Sequence, residues 1–123
     1  MTRTIRVLVV DDNAAVREAV TEMLRTLGMK AASAVSGRAA LKLCAGNCPF
    51  DVVLADVVMG DIGGVQLAET LGEAYPDVPV ILMTGRDSLV DGVVDAGAMP
   101  LFKPFGALLL SRVISDALSH HHS

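Results

Sequence analysis

The stretch FDVVLADVVMGDIGG, residues 50–64, contains the two features that decide the fold. Its apolar run, Val52–Leu54, is uninterrupted and has the length of a strand, which is typical of a strand covered on both faces in a parallel sheet. The run leads directly to Asp56, and a glycine-rich loop follows. A carboxylate next to an apolar strand costs free energy unless something compensates it. Asp56 is therefore expected at the mouth of a site, outside the core.

The same succession of a short apolar strand and an amphipathic helix recurs along the whole chain. Strands are predicted at residues 5–10, 30–35, 51–55, 78–83 and 99–102. Segments with helical periodicity follow them, at residues 13–27, 37–45, 65–75, 88–96 and 105–118. Continuous apolar strands joined by right-handed helical crossovers predict an α/β fold, a doubly wound five-stranded parallel sheet with helices on both faces.

Composition narrows the class of protein. A chain of 123 residues with 52% hydrophobic residues fits one domain with a sizeable core. The net charge of −4 argues against a direct nucleic-acid partner. No apolar run approaches the ~18 residues of a membrane helix, and the start of the chain does not resemble a signal peptide. These features predict a cytoplasmic protein that contacts neither nucleic acid nor membrane directly.

Two residue groups are expected to carry no chemistry. Cys44 and Cys48 have the spacing of neither a redox pair nor half a zinc site, so two free thiols are expected. The chain has three histidines, all at 120–122, and they are interpreted as part of a purification tag. The predicted domain therefore covers residues 1–119, and residues 120–123 are a tag remnant.

Polar residues stand where four of the predicted strands end. Two aspartates follow the first strand, and single polar residues follow the third, fourth and fifth: Asp11, Asp12, Asp56, Thr84 and Lys103. In open α/β sheets, ligands bind outside the carboxyl ends of the strands. Individually, an aspartate there could cap a helix and a lysine could be solvated, but together the five predict one site at this edge.

Three carboxylates at one edge repel each other unless a cation is present. Mg²⁺ prefers oxygen ligands and retains several waters. Asp12 and Asp56 could each supply one oxygen, and a loop carbonyl near Val58 a third, while Asp11 could hold a water. The residues therefore predict a Mg²⁺ site.

The remaining two residues suit a phosphoryl group. Lys103 offers a compact positive charge, and Thr84 offers a neutral hydroxyl donor. A carboxylate can attack phosphorus to form an aspartyl phosphate, and the metal and the lysine would stabilise charge on the transferring group. Asp56 is the predicted nucleophile.

Four motifs carry a resemblance to a known family. VLVVDDN at 7–13, DVVLADVVM at 51–59, VILMTG at 80–85 and LFKPF at 101–105 resemble the motifs of receiver domains of two-component response regulators, the CheY-like family. The resemblance covers residues 5–118. It implies the flavodoxin-like strand order 2-1-3-4-5 and a signalling domain that catalyses only its own phosphorylation and dephosphorylation. The phosphoryl donor it implies is a histidine kinase or a phosphotransfer domain.

The family's functional residues are carried over by motif. The resemblance makes Asp56 the phosphoacceptor, and it places Asp11 and Asp12 at the Mg²⁺ ion. It makes Thr84 the switch hydroxyl and Lys103 the phosphate-contacting lysine, with the Lys103–Pro104 peptide bond in cis. Pro104 is expected to start the last helix.

The chain departs from the family's usual pattern after the phosphoacceptor and before the lysine. Gly60 stands where a proline is frequent, and Gly85 where alanine or serine is usual. Pro100 occupies the place of a switch aromatic, so output is expected to pass through backbone shifts of the loop after Thr84 and of the short fourth helix, which Gly92 weakens. The short fifth strand also resembles receivers attached to hybrid histidine kinases.

Two further positions concern the lifetime of a phosphoryl group. Val58 and Arg86 match the family positions that flank the path of the hydrolytic water. Valine can neither orient a water nor accept its proton, and Arg86 could lie across the entrance. A long-lived phosphoryl form is therefore expected.

Two other functions remain open from the sequence. One is a Mg²⁺-dependent phosphatase with an aspartyl nucleophile, although Val58 stands where the second carboxylate of such enzymes is usual. The other is a pseudo-receiver, a folded interaction module without phosphotransfer.

Overall fold

The computed structural model describes residues 4–85 and 90–121, without the side chains of the last two. Strands and helices alternate along the chain: β1 Arg6–Val10, α1 Ala14–Thr26, β2 Lys30–Ala34, α2 Gly37–Cys44, β3 Val52–Asp56, α3 Gly64–Ala74, β4 Val80–Thr84, α4 Val90–Asp95, β5 Met99–Phe102 and α5 Ala107–His121. All neighbouring strands are parallel, in the order β2-β1-β3-β4-β5. The predicted fold and strand order are confirmed.

The sheet separates two apolar layers. Successive residues of a strand point to opposite faces, so Val7 and Val9 pack with α1 and α5, whereas Leu8 and Val10 pack with α2, α3 and α4. The central strands β1 and β3 are buried on both faces, which explains their uninterrupted apolar sequence.

The first two helices each begin with a side-chain cap. The Asn13 side chain accepts a hydrogen bond from Val16 N at 3.1 Å, and the Ser36 hydroxyl accepts one from Ala39 N at 3.1 Å. Gly28, which follows the C-cap residue Leu27 of α1, has φ +83°, a conformation that glycine adopts without steric cost. The start of α1, next to the carboxyl edge of the sheet, is thus fixed by the cap at Asn13.

The last helix differs from its prediction at both ends. It begins at Ala107 instead of residue 105, and the carbonyl of Gly106 accepts its first hydrogen bond, from Leu110 N. It continues to His121 because no proline or glycine stops it after Leu118. The predicted start of the fourth helix at Ser88 lies outside the described residues. Among the helices that the structure describes, none is long and apolar enough to span a bilayer.

Candidate functional site

The carboxyl edge of the sheet carries a pocket of about 460 Å³. All five residues predicted to converge there line it: Asp11, Asp12, Asp56, Thr84 and Lys103. Asp56 and Thr84 are the last residues of β3 and β4. The prediction differs by one residue, because it placed both just beyond their strands. Because parallel strands end at one edge, residues far apart in sequence share this pocket.

Asp56 lies on the wall of the pocket with both oxygens paired. Lys103 Nζ donates a hydrogen bond to Asp56 Oδ2, and Val58 N donates one to Asp56 Oδ1 at 2.8 Å. The Asp56 side chain is 13% exposed and that of Lys103 is 33% exposed. A partly desolvated carboxylate paired with an ammonium group is held in one orientation while one side stays open to the pocket.

Asp11 is the buried carboxylate of the pocket. It is 1% exposed, and its Oδ1 accepts a hydrogen bond from Asn13 N at 2.9 Å. Among the described residues, no hydrogen-bond partner reaches Oδ2. Burial raises the pKa of the Asp11 carboxyl, the Asn13 bond lowers it, and the negative charge of Asp56 raises it again, with a net upward shift.

The backbone of Asp11 is fixed on both sides. Asp11 N donates to the carbonyl of Ala34 at 3.2 Å, and the Arg17 guanidinium donates to the carbonyl of Asp11 at 2.7 Å. Arg17 belongs to none of the sequence motifs and was not predicted. Its position four residues after the cap Asn13 was the available signal, because that spacing puts it on the face of α1 that bears the cap.

Asp12 is exposed, in contrast to its neighbour. Its Oδ2 accepts a hydrogen bond from Gly60 N at 3.0 Å. The loop between β3 and α3 therefore reaches the acidic pair through the backbone of Gly60, which in the sequence is only a departure from the family pattern.

Thr84 and Lys103 are joined through their backbones at the ends of β4 and β5. Lys103 N donates to the carbonyl of Thr84 at 2.9 Å, and Thr84 is 3% exposed. The Lys103–Pro104 peptide bond is cis, as expected. Pro104 does not begin α5, however, since residues 104–106 form the approach to the helix.

Three other predicted residues have different outcomes. Val58 lines the pocket, and the residue is 65% exposed. Pro100 does not line it; it pairs with Leu82 within the sheet, inward from the edge. Arg86 lies outside the described residues.

The pocket offers oxygen donors of the kind that Mg²⁺ prefers. Within residues 4–85 and 90–121, no three histidine, cysteine or acidic side chains are grouped as an all-protein metal site. Mg²⁺ is commonly bound through only one or two carboxylates with several waters. The buried Asp11 Oδ2, which has no hydrogen-bond partner in the described residues, is an acceptor for such a water. The residues fit the ion.

Comparisons with known proteins define the class. The family model of the response regulator receiver domain matches residues 7–115. The chain therefore belongs to the response regulator receiver domain family, the signalling modules of two-component systems that are phosphorylated on an aspartate with Mg²⁺. Receiver domains of this family take the phosphoryl group from histidine kinases.

Individual relatives agree with this assignment. The response regulator MprA of Mycolicibacterium vanbaalenii is 40% identical over 104 residues, which are 82% of this chain and 45% of that protein. This chain thus spans less than half the length of that relative. The response regulator protein TrrA from Thermotoga maritima, solved in complex with Mg²⁺ and BeF, has a similar structure, with a TM-score of 0.84 and 29% sequence identity. The match covers 94% of this chain and 100% of the TrrA chain.

A second solved structure extends the likeness to nearly the full chain. The CheY-like receiver domain protein from Methanospirillum hungatei aligns with a TM-score of 0.88 and 26% identity, over 98% of each chain. The relatives named here are response regulators, so the origin in a hybrid histidine kinase stays a prediction.

Proposed function

We propose that Asp56 is the phosphoacceptor of this receiver domain. The observation that carries the proposal is the contact of the Lys103 ammonium with Asp56 Oδ2 inside a pocket that holds two more carboxylates. A lysine that touches the acceptor oxygen before transfer lies where it can also contact a phosphoryl oxygen after transfer. An ion pair with only a structural role would not need Asp11 and Asp12 next to it, because these two carboxylates add negative charge to the pocket.

The chemistry follows from the residues in place. An Asp56 oxygen attacks the phosphorus of the donor, a P–O bond forms as the bond to the leaving group breaks, and the leaving group departs with the electron pair. Lys103 balances negative charge on the transferring oxygens, and Thr84 provides a hydroxyl at the same edge. Mg²⁺, when bound, neutralises charge on the phosphoryl oxygens.

For the metal, we propose Asp12 and Asp56 as direct ligands, with the backbone carbonyl of Val58. Asp11 would hold a bound water through Oδ2, the oxygen without a hydrogen-bond partner in the described residues. Thr84 would act as the switch hydroxyl, and output would pass through the loop after it, because Pro100 has no side-chain rotation to offer.

The partner and the setting are part of the same proposal. The phosphoryl donor would be a histidine kinase or a phosphotransfer domain in the cytoplasm, and residues 1–119 would form the receiver domain. An external phosphatase activity is disfavoured because Val58 offers no carboxylate as a general acid. A pseudo-receiver is disfavoured because all five predicted polar residues line one pocket.

The test is phosphorylation by a small donor. With acetyl phosphate and Mg²⁺, the intact mass should rise by one phosphoryl group, and chelation of the metal should prevent the rise. Asp56→Asn should remove the gain, whereas Asp77→Asn, an exposed position outside the pocket, should keep it. Equal modification of Asp56→Asn would show that the acceptor is another residue. A steady release of inorganic phosphate from a phosphomonoester would favour the phosphatase.

A further inference from the structure

The loop between β3 and α3, residues 57–63, is bonded on two sides. On the pocket side, two of its amides donate to carboxylates: Val58 N to Asp56 and Gly60 N to Asp12. On the other side, Asp61 reaches the beginning of α2. The loop therefore joins the acidic pocket to a helix that contributes no residue to the pocket lining.

Asp61 supplies acceptors to the first turn of α2. Its Oδ1 accepts from Gly37 N at 3.3 Å and its Oδ2 from Arg38 N at 3.2 Å, and Arg38 Nε lies 3.8 Å from Oδ2. Ser36, the helix's own cap, satisfies Ala39 N. The amides of Gly37 and Arg38, which Ser36 does not bind, are thus satisfied by a loop more than twenty residues away along the chain.

Two further observations show that this contact is close and charged. A Cβ added to Gly37 would lie 2.9 Å from Ile62 Cβ, so the loop packs directly on the glycine. Hydrogen bonds from backbone amides, that of Ile62 first and those of Arg38 and Gly37 after it, lower the pKa of the Asp61 carboxyl. An ionised Asp61 also interacts favourably with the positive end of the helix dipole.

On the pocket side, the loop restrains an exposed carboxylate. Asp12 is exposed, and a surface carboxylate samples several rotamers unless a hydrogen bond restricts it. The Gly60 amide restricts it by binding Oδ2 and leaves Oδ1 available. The position of that amide depends on the path of the loop, and Asp61 is the next residue along it.

We propose that Asp61 and the Gly60 amide are positioning groups for the Mg²⁺ site: Asp61 anchors the loop on α2, and the anchored loop keeps the Gly60 amide on the Asp12 carboxylate. The inference rests on the proposed role of Asp12 as a metal ligand. Partners that orient metal ligands typically contribute 10–100-fold in affinity. Loss of either positioning group should therefore weaken Mg²⁺ binding about tenfold.

The chain offers a matched pair of variants at Gly60. Gly60→Pro removes the N–H, whereas Gly60→Ala keeps it and places a Cβ 3.6 Å from Asp12 Oδ2, an ordinary van der Waals distance. Mg²⁺ affinity is measured by calorimetric titration of the unphosphorylated protein. Gly60→Pro should bind Mg²⁺ about tenfold more weakly than Gly60→Ala.

Asp61 is tested in the same way, with Asp77→Asn as the control that removes one negative charge elsewhere. Asp61→Asn should weaken Mg²⁺ binding, and it should also uncouple α2 from the metal. In the parent, Mg²⁺ should shift the NMR signals of the Gly37 and Arg38 amides, and in Asp61→Asn these shifts should be smaller. If Gly60→Pro does not fold, the Asp61 measurements decide.

The outcomes separate this inference from the proposed function. If the parent binds Mg²⁺ and both Gly60→Pro and Asp61→Asn bind it equally well or more tightly, the positioning role is wrong and the proposed function stands. If the parent binds no Mg²⁺, both are wrong.

Discussion

Replacement of Asp11 by asparagine is expected to stabilise the protein at neutral pH when Mg²⁺ is absent. Asp11 is 1% exposed, and its Oδ2 has no hydrogen-bond partner among the described residues. Leaving a buried polar group unsatisfied costs about 1–3 kcal/mol, and more when the group is charged. Asparagine removes the charge and its repulsion with Asp56, and its carbonyl oxygen can still accept the bond from Asn13 N.

The size of the effect follows from these terms. The amide left in place of Oδ2 is still a buried polar group, so the net gain in the free energy of unfolding is about 1–2 kcal/mol. For a domain of this length, 1 kcal/mol corresponds to a Tm shift of about 4 °C. Asp11→Asn should therefore melt roughly 4–8 °C above the parent at pH 7 with chelator present.

The pH dependence has a definite sign. Burial raises the pKa of Asp11 in the folded protein above the ordinary value of 3.8. A folded state that holds its proton more tightly loses stability as the pH rises through the raised pKa. The advantage of Asp11→Asn should thus be greatest at pH 7 and should shrink as the pH falls toward 3.8.

Mg²⁺ should reduce the advantage of Asp11→Asn. At a Mg²⁺ concentration ten times the dissociation constant, binding adds about 1.4 kcal/mol to the stability of the parent. Asp11→Asn should gain less, because the amide holds a metal-bound water less well than a carboxylate.

The assay is thermal unfolding followed by circular dichroism, with Asp77→Asn as the control for loss of one negative charge. A parent and an Asp11→Asn variant with equal Tm at pH 7 in chelator would refute the reasoning. So would an advantage that stays constant down to acidic pH.

Three further predictions concern transfer, lifetime and dynamics. Lys103→Met should slow phosphorylation by acetyl phosphate about 10²-fold, with Lys42→Met unchanged; an equal rate would remove Lys103 from the mechanism. The phosphorylated parent should persist on the order of many minutes after donor removal, and Val58→Asn should decay faster; loss within seconds, or no faster decay in the variant, would contradict the exclusion of water. In hydrogen exchange, the six-residue α4 with its internal glycine should be less protected than α1, and equal protection would count against output through that helix.

The fold was predictable because its three inner strands, β1, β3 and β4, carry continuous apolar runs. Burial on both sheet faces requires such runs, and they appear in the sequence without knowledge of any long-range contact. The convergence of Asp11, Asp56 and Lys103 was predictable for a related reason, since parallel strands end at one edge.

The features that could not be predicted depend on contacts between residues distant in sequence and on how deeply each side chain is buried. Adjacent aspartates differ in burial, with Asp11 enclosed and Asp12 exposed, because successive residues leave a strand end in different directions. The bonds of Asp61 to Gly37 and Arg38 join residues more than twenty positions apart. No local pattern in the loop marks Asp61 as their acceptor.

The central claim is that Asp56 accepts the phosphoryl group, and borohydride reduction tests it most directly. Borohydride converts an aspartyl phosphate into homoserine, which peptide mass spectrometry locates at a single residue. After treatment with acetyl phosphate, homoserine should be found at residue 56, and only when Mg²⁺ was present. Homoserine at position 11 or 12 instead, or a mass gain with no homoserine at 56, would contradict the account.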